Sequence, residues 1–214
     1  MFILNKELFF PPVKFADKDG MFAIGGDLST KRLLLGYRNG IFPWYNENEP
    51  ICWYCPDPRF VLFPAELNIS NSMKTVINSD VFSFTVNKAF DQVIKNCKNV
   101  LRKDQPGTWI SDAIIEAYSA LHLQGHAHSA EAWSNGELVG GLYGIRMGKV
   151  FFGESMFNKK SNASKFAFIK YVQYLKEQDV QLIDCQVYTR HLQSLGAKMI
   201  ERDYFLQLLN SHIN

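Results

Sequence analysis

Residues 127–157 have the sequence AHSAEAWSNGELVGGLYGIRMGKVFFGESMF, which carries the clearest strand pattern of the chain. It predicts three strands, 127–133, 138–146 and 150–157, that follow one another as a meander. Asn135-Gly136 is a strong hairpin signal, because both residues tolerate the positive φ angles of a type I′ turn. Gly148 marks the second turn. We therefore expect three antiparallel strands in the middle of a sheet.

Helices and strands alternate on both sides of this meander. Downstream, the pattern predicts a helix over 163–178, a buried strand over 182–187 and a last helix–strand–helix unit over 196–209. Upstream, it predicts a strand over 82–87, a helix over 89–96 and a helix that Ser111 caps and that runs to residue 124. This order is typical of an α/β (α+β) fold.

The first sixty residues differ in character. One helix is expected over 31–37, with Asp27 or Ser29 as its cap and Gly40 as its stop. The prolines and aromatic residues of 41–44 and 53–59 predict rigid, packed loops rather than regular structure. We therefore expect a small N-terminal domain over 1–60 and a larger domain over 61–214.

Composition narrows the class of protein. The chain has 214 residues, a formal net charge of +2 and a hydrophobic fraction of 47%, as is ordinary for a globular protein. The charge is too small for a dedicated nucleic-acid coat, so any nucleic acid must use a local patch. No apolar run of membrane-spanning length and no signal peptide is visible, and four cysteines do not suggest a disulfide framework. We expect a cytoplasmic protein, and a monomer.

Two clusters resemble metal sites but lack complete ligand sets. Cys52 and Cys55 form one CxxC without a second pair, so ordinary cysteines are the favoured interpretation. His122, His126 and His128 lie close in sequence, but Gly125 should end the helix between them. No metal and no cofactor are expected.

Polar residues interrupt two apolar strands. Glu154 lies in the third strand of the meander, and Asp184 and Gln186 lie in the strand over 182–187. A buried carboxylate is costly unless it is paired or faces a cavity. Residues two apart on a strand point to the same side, so Asp184 could orient the Gln186 carboxamide. These residues indicate either a site or a buried polar network that only stabilises the fold.

An ordered set of motifs resembles the leucyl/phenylalanyl-tRNA–protein transferases. The set spans about residues 25–204, and its members are specific together rather than singly. The motifs are 25–28 GGDL, 40–44 GIFPW, 56–59 PDPR, 107–110 GTWI, 125–129 GHAHS, 137–144 ELVGGLYG, 153–157 GESMF, 162–165 NASK and 183–187 IDCQV.

The resemblance implies a GNAT-like N-acyltransferase domain after a small N-terminal domain. It implies transfer of Leu or Phe, and less so Met, from Leu-tRNA or Phe-tRNA to proteins that begin with Arg or Lys, which marks them for N-end-rule degradation. By this resemblance Trp44 and Trp109 hold the terminal adenosine of the tRNA. The residues expected to line the aminoacyl side-chain pocket are Leu142, Phe151, Phe168, Tyr171 and Ile183.

An aminoacyl ester is already activated, so the expected chemistry is mainly positioning. An α-amino group has a pKa of roughly 7.7–8.0, so a fair fraction is neutral near pH 7. We expect Asp184 to orient Gln186, whose carboxamide oxygen accepts a hydrogen bond from the attacking amine. Glu154 is expected to line the same pocket.

Two other functions are compatible with the same elements. An acyl-coenzyme-A N-acyltransferase would need a glycine-rich pyrophosphate loop, and 158–163, NKKSNA, contains no glycine. A tRNA-binding module without catalysis would bind charged and uncharged tRNA alike, and would leave the polar pair of the 182–187 strand without a purpose.

Overall fold

In the computed structural model, which describes residues 1–17, 19–100 and 109–213, the predicted meander forms the centre of a sheet. Its strands are β7 (Ala127–Ser134), β8 (Glu137–Met147) and β9 (Val150–Asn158). Asn135 and Gly136 have φ angles of 53° and 79°, which is the type I′ turn that the sequence predicts. The prediction of an antiparallel meander is confirmed.

Four further strands extend this sheet to seven. They are β5 (Arg59–Leu62), β6 (Ser83–Val86), β10 (Leu182–Gln186) and β11 (Lys198–Ile200). The order across the sheet is β11-β5-β10-β9-β8-β7-β6. Strand β10 runs parallel to β9 and antiparallel to β5, so residues from distant parts of the chain meet where these strands end.

Helices cover both faces of the seven-stranded sheet. In chain order the α-helices are α1 (Thr30–Arg38), α2 (Asn71–Ile77), α3 (Phe90–Lys98), α4 (Asp112–Leu123), α5 (Ala163–Glu177), α6 (Arg190–Gln193) and α7 (Arg202–Ile213). The side chain of Ser111 accepts from the backbone N–H of Ile114, and Ser29 caps α1 by accepting from Arg32. Both predicted caps are confirmed.

The two faces form two apolar cores. Tyr143 and Phe152 pack with α3 and α4, whereas their neighbours Leu142 and Phe151 pack with α5. This alternation follows from the period of two along a strand. The α/β class predicted from the element order is confirmed. No helix among the described residues is both long and apolar enough to cross a membrane.

The N-terminal segment contains a second sheet, and two of its strands lie where packed loops were expected. Its strands are β1 (Phe2–Leu4), β2 (Met21–Gly25), β3 (Phe42–Pro43) and β4 (Cys52–Tyr54), in the order β1-β2-β4-β3. The prediction of irregular structure over 41–44 and 53–59 was therefore wrong for β3 and β4. Strands of two or three residues are too short to show alternation, and Pro43 is tolerated because β3 lies at the edge.

The first sixty residues share a core with the rest of the chain. Leu33, Tyr37 and Trp53 belong to the same apolar cluster as Ile114 and Tyr118. The expected boundary between residues 60 and 61 falls inside β5, which pairs with β10 and β11 of the larger sheet. The division into two domains stays a prediction.

Candidate active site

Glu154 is displaced from the regular sheet by a β-bulge. Strand β9 pairs Ser155 with Tyr143 and Gly153 with Gly144, so Glu154 is the extra residue between two adjacent partners. A bulge bends the strand and redirects a side chain, which is why bulges often lie beside active sites. Here the bulge brings the Glu154 carboxylate to Tyr37 of α1 and Tyr118 of α4.

Strand β10 is also irregular at its polar end. Asp184 pairs with Val61 and Gln186 with Phe60, so Cys185 is the extra residue of this pair. Gln186 has a φ of 62°, a left-handed conformation that is unfavourable for residues other than glycine. The strict alternation that was expected between Asp184 and Gln186 does not hold.

Asp184 has other partners than the one predicted. Its carboxylate accepts from Nε and Nη2 of Arg59 at 2.8 and 2.6 Å, and from the backbone N–H of Gln186 at 2.9 Å. Asp184 and Arg59 are 0% and 1% exposed. The predicted contact of Asp184 with the Gln186 carboxamide was wrong, because the bulge gives Asp184 the backbone of Gln186 instead. Asp184 thus holds the strained turn.

The carboxamide of Gln186 is held by Glu154. Nε2 of Gln186 donates to Oε1 of Glu154 at 2.8 Å. This contact directs the amide nitrogen to the carboxylate. Among the described residues no donor contacts the Gln186 carboxamide oxygen.

Two tyrosines complete the surroundings of Glu154. The hydroxyl of Tyr37 donates to Oε1 at 2.8 Å and that of Tyr118 to Oε2 at 3.1 Å, and the two hydroxyls also contact each other. Burial raises the pKa of Glu154 to about 7; the hydrogen bonds from Tyr37, Tyr118 and Gln186 oppose this shift, and the charge of Asp184 adds to it. Burial also raises the pKa of both tyrosines, and the charge of Glu154 adds to this shift.

A cavity of about 750 Å³ opens on this polar cluster. Of the residues expected to bind substrate, Trp44, Trp109, Leu142, Phe168 and Ile183 line the cavity, as do Glu154 and Gln186. The structure thus brings seven predicted residues together, although their roles remain predictions.

Phe151 and Tyr171 lie behind the wall of this cavity. Both are at most 2% exposed, and their rings contact each other edge to face with centroids 5.0 Å apart. They are not among the lining residues. They belong to the same apolar core as Leu142 and Ile183, and their role in binding stays a prediction.

Three residues of the site had no predicted role in it. Tyr37 and Tyr118 occupy apolar positions of amphipathic helices, where an aromatic residue normally indicates only core. Arg59 belongs to the 56–59 PDPR motif. A buried carboxylate needs a cation, so the sequence does predict a basic partner for Asp184. Nothing in the sequence indicates which arginine that is.

The cysteine and histidine clusters have structural partners. Cys55 is buried and Cys52 bonds the Pro50 carbonyl. His122 stacks on Phe90 and bonds the Ala127 carbonyl, and His128 bonds Asn87. Within 1–17, 19–100 and 109–213 no group of three or more His, Cys, Asp or Glu could hold a metal ion. Gly107 and Thr108 of the GTWI motif lie outside the described residues.

Comparison with known proteins adds to this geometry. Among solved structures, a GCN5-related N-acetyltransferase from Kribbella flavida matches with a TM-score of 0.43 and 9% identity, over 83% of this chain and 63% of that one. A likeness at this level says nothing about chemistry.

Proteins related in sequence are much more similar to this chain than that structure is. A leucyl/phenylalanyl-tRNA–protein transferase of Flavobacterium johnsoniae is 56% identical over 211 residues, which cover 99% of this chain and 100% of that protein. One of Syntrophobacter fumaroxidans is 55% identical over 213 residues, which cover 100% and 91%. The family model described as leucyl/phenylalanyl-tRNA protein transferase matches residues 61–210, and that of its N-terminal domain matches residues 26–57. This chain belongs to the leucyl/phenylalanyl-tRNA protein transferase family, whose members are enzymes.

Proposed function

We propose that this enzyme transfers Leu or Phe, and less so Met, from aminoacyl-tRNA to the α-amino group of proteins that begin with Arg or Lys. The observation that carries the proposal is the cavity, which joins an apolar wall and two tryptophans to the Glu154–Gln186 pair. The modified proteins would then be degraded through the N-end rule, in the cytoplasm. A monomer suffices, because one chain supplies every residue of the proposed site.

The apolar wall suits the aminoacyl side chain. Leu142, Phe168 and Ile183 come from β8, α5 and β10 and face one cavity with Met156 of β9. The binding free energy gained in this part of the cavity grows with the apolar area that is removed from water. Large apolar side chains are therefore favoured over small or polar ones. This wall distinguishes Leu, Phe and Met donors from polar ones.

The attacking amine is placed by Gln186. Its carboxamide oxygen accepts a hydrogen bond from the neutral amine, while Glu154 fixes the amide nitrogen. Asp184 acts one step further away, because it binds the backbone N–H of Gln186 and not the carboxamide. The carboxylate of Glu154 also favours an acceptor with a cationic side chain.

Trp44 and Trp109 are proposed to hold the terminal adenosine. Replacing Trp44 with alanine should weaken binding by about 1–3 kcal/mol, or roughly 5- to 150-fold in KM for aminoacyl-tRNA, because one stacking surface is lost. Trp44→Phe keeps a ring and should retain most of the affinity. Equal KM values for wild type and Trp44→Ala would remove Trp44 from the site.

The proposed function is tested by peptide labelling. The protein is incubated with radiolabelled Phe-tRNA and with peptides that differ only in an N-terminal Arg, Lys or Ala. We expect label on the Arg and Lys peptides and little on the Ala peptide. Equal labelling of all three, or of none, would refute the proposal, and tight binding of coenzyme A would support an acyl-coenzyme-A transferase instead.

A further inference from the structure

The hydroxyls of Tyr37 and Tyr118 and the carboxylate of Glu154 form a closed triangle of three contacting groups. Tyr37 contacts Oε1 of Glu154, Tyr118 contacts Oε2, and the two hydroxyls contact each other. Tyr37 and Tyr118 are 1% and 0% exposed. Each buried oxygen–oxygen contact of this kind needs one proton to be a hydrogen bond.

The number of protons in the triangle depends on the state of Glu154. When Glu154 is ionised, the two tyrosines supply two protons for three contacts, so one pair of oxygens faces each other without a proton. When Glu154 is protonated, it can donate to Tyr118, Tyr118 to Tyr37, and Tyr37 back to Oε1. Every group then donates once and accepts once. Gln186 donates to Oε1 in either state.

We propose that Glu154 takes the proton that the attacking amine releases, and that Tyr37 and Tyr118 are the positioning residues that complete this proton site. The inference rests on the aminoacyl transfer proposed above. The amine nitrogen bonds to the ester carbonyl carbon, and its proton passes to Glu154. The bond from that carbon to the ribose oxygen then breaks, and Glu154 returns the proton to the ribose oxygen. Atoms and charge balance without a co-reactant.

The placement of Glu154 permits this role. Glu154 lines the cavity and bonds the same carboxamide whose oxygen is proposed to hold the amine, so one side chain links the carboxylate to the proposed position of the reacting nitrogen. The titratable and polar groups near Glu154 come from four secondary-structure elements. They are Tyr37 of α1, Tyr118 of α4, Asp184 and Gln186 of β10, and Arg59 of β5. Arg59 is bound to Asp184, so the opposite charges of these two residues partly offset each other beside Glu154.

The pH dependence of transfer tests the proton site. Single-turnover transfer from Phe-tRNA to one Arg peptide is measured across the neutral range for wild type, Tyr37→Phe, Tyr118→Phe and Glu154→Gln. Rates should fall as the pH drops through about 7. Hydrogen bonds to an ionised carboxylate are charge-assisted and roughly twice as strong as those between neutral groups, so the tyrosines hold the pKa of Glu154 down. Loss of either hydroxyl should therefore raise the midpoint by about one pH unit. Glu154→Gln should lose roughly 10²- to 10⁴-fold.

The control is Tyr174→Phe, which removes a phenol hydroxyl of α5 outside the triangle and should leave rate and midpoint unchanged. The amine of the peptide titrates identically in every variant, so shifts between variants report the enzyme. Midpoints equal to that of wild type in both tyrosine variants, even with uniformly lower rates, would overturn the proposal.

A second measurement does not depend on transfer. Infrared difference spectroscopy of ¹³C-glutamate-labelled protein should show a carboxyl that titrates near 7, that is absent in Glu154→Gln and that shifts upward in both tyrosine variants. Titration of Glu154 near the ordinary value of about 4.3 would overturn the proton site. Absence of transfer by wild type at every pH would instead refute the proposed function and the role of the site in it.

Discussion

Replacing Asp184 with asparagine should lower the free energy of unfolding by about 3–5 kcal/mol, measured by urea denaturation. Asparagine keeps the size of the side chain and can still accept from the Gln186 backbone. It leaves the Arg59 guanidinium, which is 1% exposed, without its counter-charge. A buried charge without a partner is among the most expensive defects in a folded protein.

Two variants show that burial is the cause. Glu66→Gln breaks the Lys198–Glu66 pair, whose side chains are each 48% exposed, and should cost only about 0–1 kcal/mol. The double variant Arg59→Met with Asp184→Leu should recover most of the stability, because it removes both charges. It should still transfer slowly, since the Gln186 backbone N–H has lost its acceptor. Full activity of the double variant would show that Asp184 does not position Gln186.

Replacing Gln186 with glycine should reduce kcat for transfer by about 10²- to 10³-fold, the range seen when one preorganised polar contact to a reacting group is lost. The fold should survive. Glycine adopts the φ of 62° at this position without the steric cost that glutamine bears. We expect the free energy of unfolding to stay within about 1 kcal/mol of wild type.

Gln186→Ala is the matched control for the backbone. It removes the same carboxamide but keeps a Cβ in the left-handed conformation, so it should match the glycine variant in rate and be the less stable of the two. Turnover near that of wild type in both variants would exclude the carboxamide from the chemistry. A large loss of stability in Gln186→Gly would show instead that the hydrogen bond to Glu154 holds the fold.

Strands and helices with a clear period could be predicted from the sequence. The meander over 127–157 and the caps at Ser29 and Ser111 are encoded within a few residues each, so they hold wherever the chain lies. The short strands β3 and β4 could not be predicted, because their stability comes from the pairing of Pro43 with Trp53 and not from their own pattern.

The sequence predicted which polar residues form the site, but it did not predict which of their atoms contact one another. Asp184, Gln186 and Glu154 are polar groups on apolar strands, which marks them in the sequence. The two bulges that redirect them depend on the partner strands, β5 and β8. The expected alternation therefore predicted a contact of Asp184 with the Gln186 carboxamide, whereas Asp184 accepts from the Gln186 backbone N–H.

Local patterns in the chain encode its alternating helices and strands, and its ordered motifs indicate its family and the polar side chains of the site. Long-range packing brings Arg59 to Asp184 across 125 residues, and it brings Tyr37, Tyr118 and Glu154 into contact. The two kinds of interaction act over different distances along the chain. Backbone periodicity acts over a few residues, whereas the partner of a buried charge or proton is whichever group long-range packing places beside it.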